Sequence, residues 1–327
     1  MFDGTITARN YAAQAERGLR TAALQFGPTD GRVVRGMCER ISRAVHFAMP
    51  DGGRLFDDHG RGIAGRELRL PFPLITVEYF SDGADSERGL VSMPKRLVIA
   101  EEMTRAEVHA YCAQHGSSGA ACVEDRYVVV TWAATSSVGE WVPGACALAI
   151  PTAWDSTASH DDRTEHIKSL TGEAGATRMN AVPIMTIRSI AEGYLKHLKS
   201  VEVARQHLVH DAAVEAGVII ELCEALSCSN VGSEVAQPAP DPAKAARRAR
   251  DGKLPIYETR VLTVQAGSSS GRSGGSADDG GSRVGPRQYL RRGHIRRLPS
   301  GKQIWVQSCV VGNELAGMIE KTYAVRR

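Results

Sequence analysis

The sequence predicts an α+β protein in which an N-terminal mixed α/β domain precedes a small antiparallel β domain. Apolar residues recur at helical spacing near both ends of the first 230 residues, and short runs rich in β-branched residues lie between them. Residues 231–255 are rich in proline and basic residues, which is typical of a linker. Short strand patterns and a Gly/Ser-rich segment follow. The predicted domains are therefore 1–230 and 256–327.

In the first domain, the order of elements follows from periodicity and from breaker residues. The Pro71-Phe72-Pro73 segment precedes a strand, and Thr104 with Glu107 forms a capping box for a short helix. The pattern after residue 185 fits one long helix or two shorter ones, with Gly193 and Gly217 as weak points. The predicted helices are 5–25, 29 to about 50, 104–116 and 185–226, and the predicted strands are 74–80, 96–100, 127–131 and 141–150.

The C-terminal part begins with the segment from Gln237 to Pro242, where alternate prolines disfavour helix and sheet. Five cations follow within residues 244–253; a short helix fits residues 243–250, but the composition favours a flexible basic arm. Residues 267–286 contain 7 Gly and 6 Ser, so a flexible loop is expected there. The strands predicted for this domain are 256–264, 289–298, 303–311 and 318–325.

The composition excludes several classes of protein. The length of 327 residues suggests two domains, and 43% hydrophobic with 24% charged residues is typical of globular chains. No run of 18 apolar residues predicts a membrane span, and the first residues do not resemble a secretory signal. The seven cysteines form no Cys-x-x-Cys pair, so we expect buried thiols in a reducing cytoplasm rather than a zinc ribbon or disulfide scaffold.

Charge is distributed unevenly along the chain. Residues 1–239 carry 23 Lys and Arg against 30 Asp and Glu, a net charge of −7, whereas residues 240–327 carry 17 against 7, a net charge of +10. Six of the sixteen residues from Arg287 to Lys302 are basic and none is acidic. Such a cluster attracts polyanions, so the C-terminal domain is predicted to bind nucleic acid or a nucleoprotein complex.

A β-hairpin gives this cluster a specific surface. If Leu298 pairs with Gln303 across a four-residue turn, alternation places one set of polar and aromatic residues on one face. Guanidinium groups would bind phosphates, and an aromatic ring would stack on a base. A slip of one residue would exchange the two faces. The predicted nucleic-acid-binding residues are Arg292, His294, Arg296, Trp305 and Gln307 on this face, with Lys302, Arg247, Arg248 and Arg250 nearby.

Other interpretations of the same residues remain open. The basic face could bind an acidic protein, as an inhibitor would, or it could dock against the acidic first domain. In a metal-independent ribonuclease, His294 would act as general acid or base, with Arg292 and Arg296 stabilising the transition state. No catalytic residue, metal ligand or cofactor is assigned. Three further groups are interpreted as surface features: Asp57–Gly62, His160–His166, and the histidines His197, His207 and His210.

The segment from Arg291 to Val306, followed by Val310-Val311-Gly312 and Glu320–Arg326, resembles the C-terminal region of uncharacterised bacteriophage and prophage proteins. The resemblance covers about 70 residues, beginning near Leu254. It implies a phage or mobile-element origin and expression in the host bacterial cytoplasm. It implies no activity and no catalytic residues.

Overall fold

The computed structural model of the protein describes residues 8–55, 67–81, 93–117, 119–153, 181–264, 287–291, 294–306, 309–311 and 313–318. In these ranges the helices are α1 (Tyr11–Ala22), α2 (Pro28–Arg43), α3 (Arg105–Gln114), α4 (Arg188–Leu198), α5 (Val201–Leu226) and α6 (Pro242–Arg250). The strands are β1 (Val45–Ala48), β2 (Leu74–Phe80), β3 (Lys95–Thr104), β4 (Arg126–Thr135), β5 (Trp141–Pro143), β6 (Cys146–Pro151), β7 (Val182–Met185), β8 (Val231–Gln237), β9 (Thr259–Val264), β10 (Arg287–Arg291), β11 (His294–Arg297), β12 (Gln303–Val306), β13 (Cys309–Val311) and β14 (Asn313–Met318).

One large mixed sheet organises the fold, which is α+β as predicted. Its strands follow the order β7-β6-β4-β3-β2-β1-β9-β8, and β5 pairs with β4. Strand β1 runs parallel to both β2 and β9, whereas the other pairings are antiparallel. The central strands are almost continuously apolar because helices cover both faces; every residue of β6 is buried.

Helices α1 and α5 cover opposite faces of this sheet, as two neighbouring residues of β2 demonstrate. The buried Glu78 carboxylate accepts from the main-chain nitrogens of Arg9 at 2.5 Å and Tyr11 at 2.6 Å, at the start of α1. The Tyr79 hydroxyl donates to Glu215 of α5 at 2.7 Å. Since successive strand residues point to opposite faces, the sheet separates the two helices. Burial raises the pKa of both Glu78 and Glu215.

The helical region after residue 185 consists of two helices, and the break falls between them at Lys199 and Ser200. Lys199 adopts a left-handed conformation with φ 56°, and the Ser200 side chain accepts from Val203 N at 3.4 Å as the cap of α5. The predicted weak points Gly193 and Gly217 both lie inside helices. The break between α4 and α5 is therefore determined by the polar cap at Ser200. The two glycines do not interrupt their helices.

The division into domains differs from the predicted one. Residues 231–237 form an edge strand rather than the start of a linker, and β9 pairs with β1, so β8 and β9 both belong to the main sheet. The sequence pattern missed this because β1 and β9 are far apart along the chain. Periodicity also extended the second helix to near Pro50, whereas the helix ends at Arg43 and residues 45–48 form β1. The predicted loop 267–286 lies outside the described residues.

The last strands form two small sheets. Strand β10 pairs antiparallel with β13 and parallel with β14, and β11 pairs with β12 in a hairpin. No helix in the described ranges is long and apolar enough to cross a bilayer. Thiols were predicted to be buried, and the structure confirms this for six free cysteines: Cys38, Cys112, Cys122, Cys146, Cys223 and Cys228.

Candidate nucleic-acid interface

Helix α6 is short but well terminated at both ends. At its N-terminus, the Asp241 side chain accepts from Lys244 N at 2.8 Å, and Pro242 occupies the first helical position. At its C-terminus, Gly252 has φ +66° and its N–H donates to Ala249 O at 3.1 Å. The sequence carried this signal in Asp241-Pro242, which is a cap followed by an N1 proline. The expectation of a flexible arm here is therefore wrong.

The cations of α6 form a row on its exposed side. Lys244, Arg247 and Arg250 are exposed and recur every three residues, so they are neighbours on the helix surface. They span about 9 Å at 1.5 Å per residue. Within the described ranges, no carboxylate lies at ion-pair distance from any of the three. Arg248 differs, because its guanidinium is half-buried and donates to Leu254 O at 3.0 Å and 3.2 Å.

The segment that follows α6 is fixed to α1. Three contacts hold it: Arg17 Nη2 donates to Gly252 O at 2.8 Å, Asn10 Nδ2 donates to Pro255 O at 3.0 Å, and the Tyr257 hydroxyl donates to the Glu16 carboxylate. The Tyr257 ring also stacks on His46, with centroids 4.5 Å apart. The cationic row is thus followed directly by a segment that is tied to α1, while α6 itself buries no residue.

The hairpin has a different register from the predicted one. Its loop contains three residues, Pro299-Ser300-Gly301, because Leu298 N donates to Lys302 O at 2.8 Å and Gly301 has φ +79°. A left-handed glycine at the third position is typical of three-residue loops. Shortening the loop by one residue exchanges the faces. The observed partners are His294 with Val306, Ile295 with Trp305, Arg296 with Ile304, and Arg297 with Gln303.

This register removes Trp305 from the predicted binding face. Trp305 lies opposite Ile295 and packs against the main core, whereas Arg296 is exposed. Asn230 holds the strand at this residue, since its Nδ2 donates to Trp305 O at 2.8 Å and its Oδ1 accepts from Trp305 N at 2.7 Å. Gln303 is buried, and its carbonyl accepts from Ser229 N at 2.9 Å. The predicted placement of Trp305 on one face with Arg296 is therefore wrong, and stacking of Trp305 on a base stays a prediction.

The remaining predicted residues have mixed outcomes. Lys302 is exposed in the turn, and the structure describes His294 through its backbone, at the start of β11. Arg292 and Gln307 lie outside the described residues, as do Asp57–Gly62 and His160–His166. His197 and His210 are exposed and His207 is half-buried. No group of three metal-binding side chains occurs in the part of the chain that the structure describes.

A groove next to α6 was not predicted from the sequence. It has a volume of about 760 Å³ and lies between α1, the turn before β5, the first turn of α4 and Leu254. Its rim carries Gln25 and Glu140, and its floor includes Trp141. These residues come from distant parts of the chain and form no motif, so only the folded structure brings them together.

Comparisons with protein-family models, with curated proteins and with solved structures find no match for this chain. The phage-type origin suggested by the C-terminal resemblance stays a prediction.

Proposed function

We propose that this protein binds nucleic acid and that α6 supplies its main phosphate contacts. The observation that carries the proposal is the row of Lys244, Arg247 and Arg250, exposed on an anchored helix and unpaired with any described carboxylate. An ion pair within the protein would have to break before a phosphate could bind, and here that cost is absent. Each arginine guanidinium can bind two oxygens of one phosphate. A row of such groups therefore favours a polyanion over isolated anions.

The hairpin contributes a secondary cationic patch in this proposal. Arg296 and Lys302 are exposed, and Asn230, which holds the hairpin, directly precedes β8. Helix α6 follows the other end of β8, and seven strand residues extend over roughly 20 Å. The cationic row of α6 and the cationic patch of the hairpin therefore lie near opposite ends of β8. The predicted small basic β unit would assist binding through charge, without a stacked tryptophan.

The proposed setting is the bacterial cytoplasm during phage or prophage expression, where the partner is nucleic acid or a host nucleoprotein complex. The resemblance of residues 291–326 to phage proteins supports this setting. An acidic host protein is the competing partner, because carboxylates would meet the same cations. Nuclease-resistant capture by such a protein, together with absent nucleic-acid binding, would favour it. The ribonuclease alternative stays a prediction, since the structure describes His294 only through its backbone.

Fluorescence anisotropy with labelled RNA and DNA, measured over a range of salt concentrations, tests the proposal. The Arg247→Ala/Arg250→Ala variant should weaken binding by roughly tenfold or more, because two charge-assisted contacts are lost. The matched control is Arg32→Ala/Arg35→Ala, which removes two exposed cations from α2. The control should retain most of the affinity. Absence of binding by the unmodified chain at low salt, or equal loss in both variants, would overturn the assignment to α6.

A further inference from the structure

The groove beside α6 has the size and form of a small-ligand site. Its volume of about 760 Å³ lies within the range of roughly 300–1,000 Å³ that is usual for such sites. Trp141 lies on the floor and is only 7% exposed. It packs closely on Gly18 of α1, where an added Cβ would come within 2.7 Å of the Trp141 Cβ. The floor is therefore fixed before any ligand enters.

The lining combines an apolar floor with a polar rim. Trp141, Phe26 and Ile190 are buried or half-buried, whereas Gln25 and Glu140 are exposed. Neither the Gln25 amide nor the Glu140 carboxylate has a side-chain hydrogen-bond partner among the described residues. The amide both donates and accepts, and the carboxylate accepts. This chemistry suits a flat ring with donors and acceptors on its edge, as a nucleobase has.

The groove is also close to the cationic row. Leu254 forms part of the lining, and it follows Arg250 by four residues, so their Cα atoms are at most about 15 Å apart. Arg17 lies on the groove and donates to Gly252 O at 2.8 Å, directly after α6. A ligand in the groove that continues into a phosphate backbone would therefore meet α6 within a few nucleotides.

We propose that this groove holds one unpaired base of a single-stranded nucleic acid whose phosphates bind α6. The inference rests on the proposed nucleic-acid binding and adds the form of the ligand. A base in a duplex would first have to leave its stack, so a single strand is favoured. Glu140 accepts hydrogen bonds and does not donate them, which favours a base with an amino group at its edge, such as cytosine.

The experiment uses the full chain and three labelled DNA probes: twelve-nucleotide oligo(dC), twelve-nucleotide oligo(dT) and a twelve-base-pair duplex. Gln25→Ala/Glu140→Gln should weaken binding of the single strands by roughly tenfold, since one edge contact is lost and the other loses its charge, and should leave the duplex nearly unchanged. The loss should be larger for oligo(dC). Both residues are exposed, so the melting temperature should be retained. The matched control is Glu202→Gln/Gln206→Ala on α5, which should bind all three probes as the unmodified chain does.

The outcomes separate this inference from the proposed function. If the groove variant binds single strands normally while Arg247→Ala/Arg250→Ala weakens every probe, the groove assignment is wrong and the proposed function stands. If the unmodified chain binds none of the probes, both are wrong. Photo-crosslinking with DNA that contains 4-thiothymidine gives an independent readout. Crosslinks to the peptides with Phe26 or Trp141 support the groove, and crosslinks confined to residues 242–250 contradict it.

Discussion

Helix α6 and the β11–β12 hairpin are both basic, yet the fold uses their residues differently. In α6, Lys244, Arg247 and Arg250 remain exposed while the chain after the helix is anchored on α1. In the hairpin, the Trp305 side chain faces the core, and the Asn230 side chain binds the Trp305 backbone. Trp305 therefore attaches the hairpin to the rest of the protein. The cluster of six cations from Arg287 to Lys302 ranks the hairpin region first on sequence alone, whereas the observed register and docking favour α6. The predictions below test this difference, beginning with the largest expected effect.

Acid should weaken the anchor of the α6 segment. His46, on which Tyr257 stacks, is 4% exposed, and burial lowers its pKa to about 4. The unfolded chain takes up this proton below pH 6.5, whereas the folded chain resists it down to about pH 4. The contribution of His46 to stability is therefore fully present above pH 6.5 and is lost as the pH falls towards 4, by at most about 3 kcal/mol.

Denaturant unfolding between pH 4 and pH 7 measures this effect in the unmodified chain and in His46→Gln. The variant should lose less stability on acidification, whatever its stability at pH 7. The buried carboxyls of Glu78 and Glu215 have raised pKa values and act in the opposite direction, so the difference between the two proteins is the relevant quantity. Parallel pH profiles would show that His46 does not couple protons to folding.

Replacement of the docked aromatic residue tests the hairpin. Trp305→Ala should lower the free energy of unfolding by about 2 to 3 kcal/mol, because a half-buried ring leaves the core. Nucleic-acid affinity should change little under conditions where the variant is folded. The opposite pattern, with unchanged stability and a large loss of affinity, would restore Trp305 as a stacking residue.

The attachment of the hairpin depends on the Asn230 amide. Asn230→Ala should cost about 2 kcal/mol, because the Trp305 N–H and carbonyl both lose their partner. Asn230→Asp keeps the acceptor and loses the donor, so an intermediate cost is expected. Chemical denaturation should rank the unmodified chain as the most stable, Asn230→Asp as intermediate and Asn230→Ala as the least stable. Equal stabilities would indicate that water replaces the amide without cost.

The smallest effect on stability is expected at α6. Arg247→Ala/Arg250→Ala should change the free energy of unfolding by less than about 0.5 kcal/mol, because both side chains are exposed and unpaired within the described part of the chain. Thermal unfolding measures this. A loss comparable with that of Trp305→Ala would mean that α6 is a packing element rather than a binding surface.

Local signals in the sequence predicted local structure well. The strand Leu74–Phe80 is confirmed, and so is the capping box of Thr104 and Glu107. Both depend on neighbouring residues. The pairing of β9 with β1 was missed because it joins distant strands, and the hairpin faces were exchanged because one residue of loop length decides them.

The candidate interface was predicted in part. Arg247 and Arg250 were identified from charge, and they are exposed, but the Arg248 guanidinium donates to the Leu254 carbonyl and Trp305 faces the core. Gln25 and Glu140 carried no sequence signal, since their proximity exists only after α1 and β5 have packed together. Charge patterns thus indicated which segment to consider, and tertiary contacts determined which side chains remain available.

The most direct test of the central claim is the salt dependence of nucleic-acid binding in two double variants. For a single strand, each phosphate contact contributes about 0.7 to the slope of log affinity against log salt. Arg247→Ala/Arg250→Ala should reduce the slope by about 1.4, and Arg296→Ala/Lys302→Ala should reduce it by less. A full reduction in the hairpin variant, with an unchanged slope in the α6 variant, would contradict the assignment of the interface to α6.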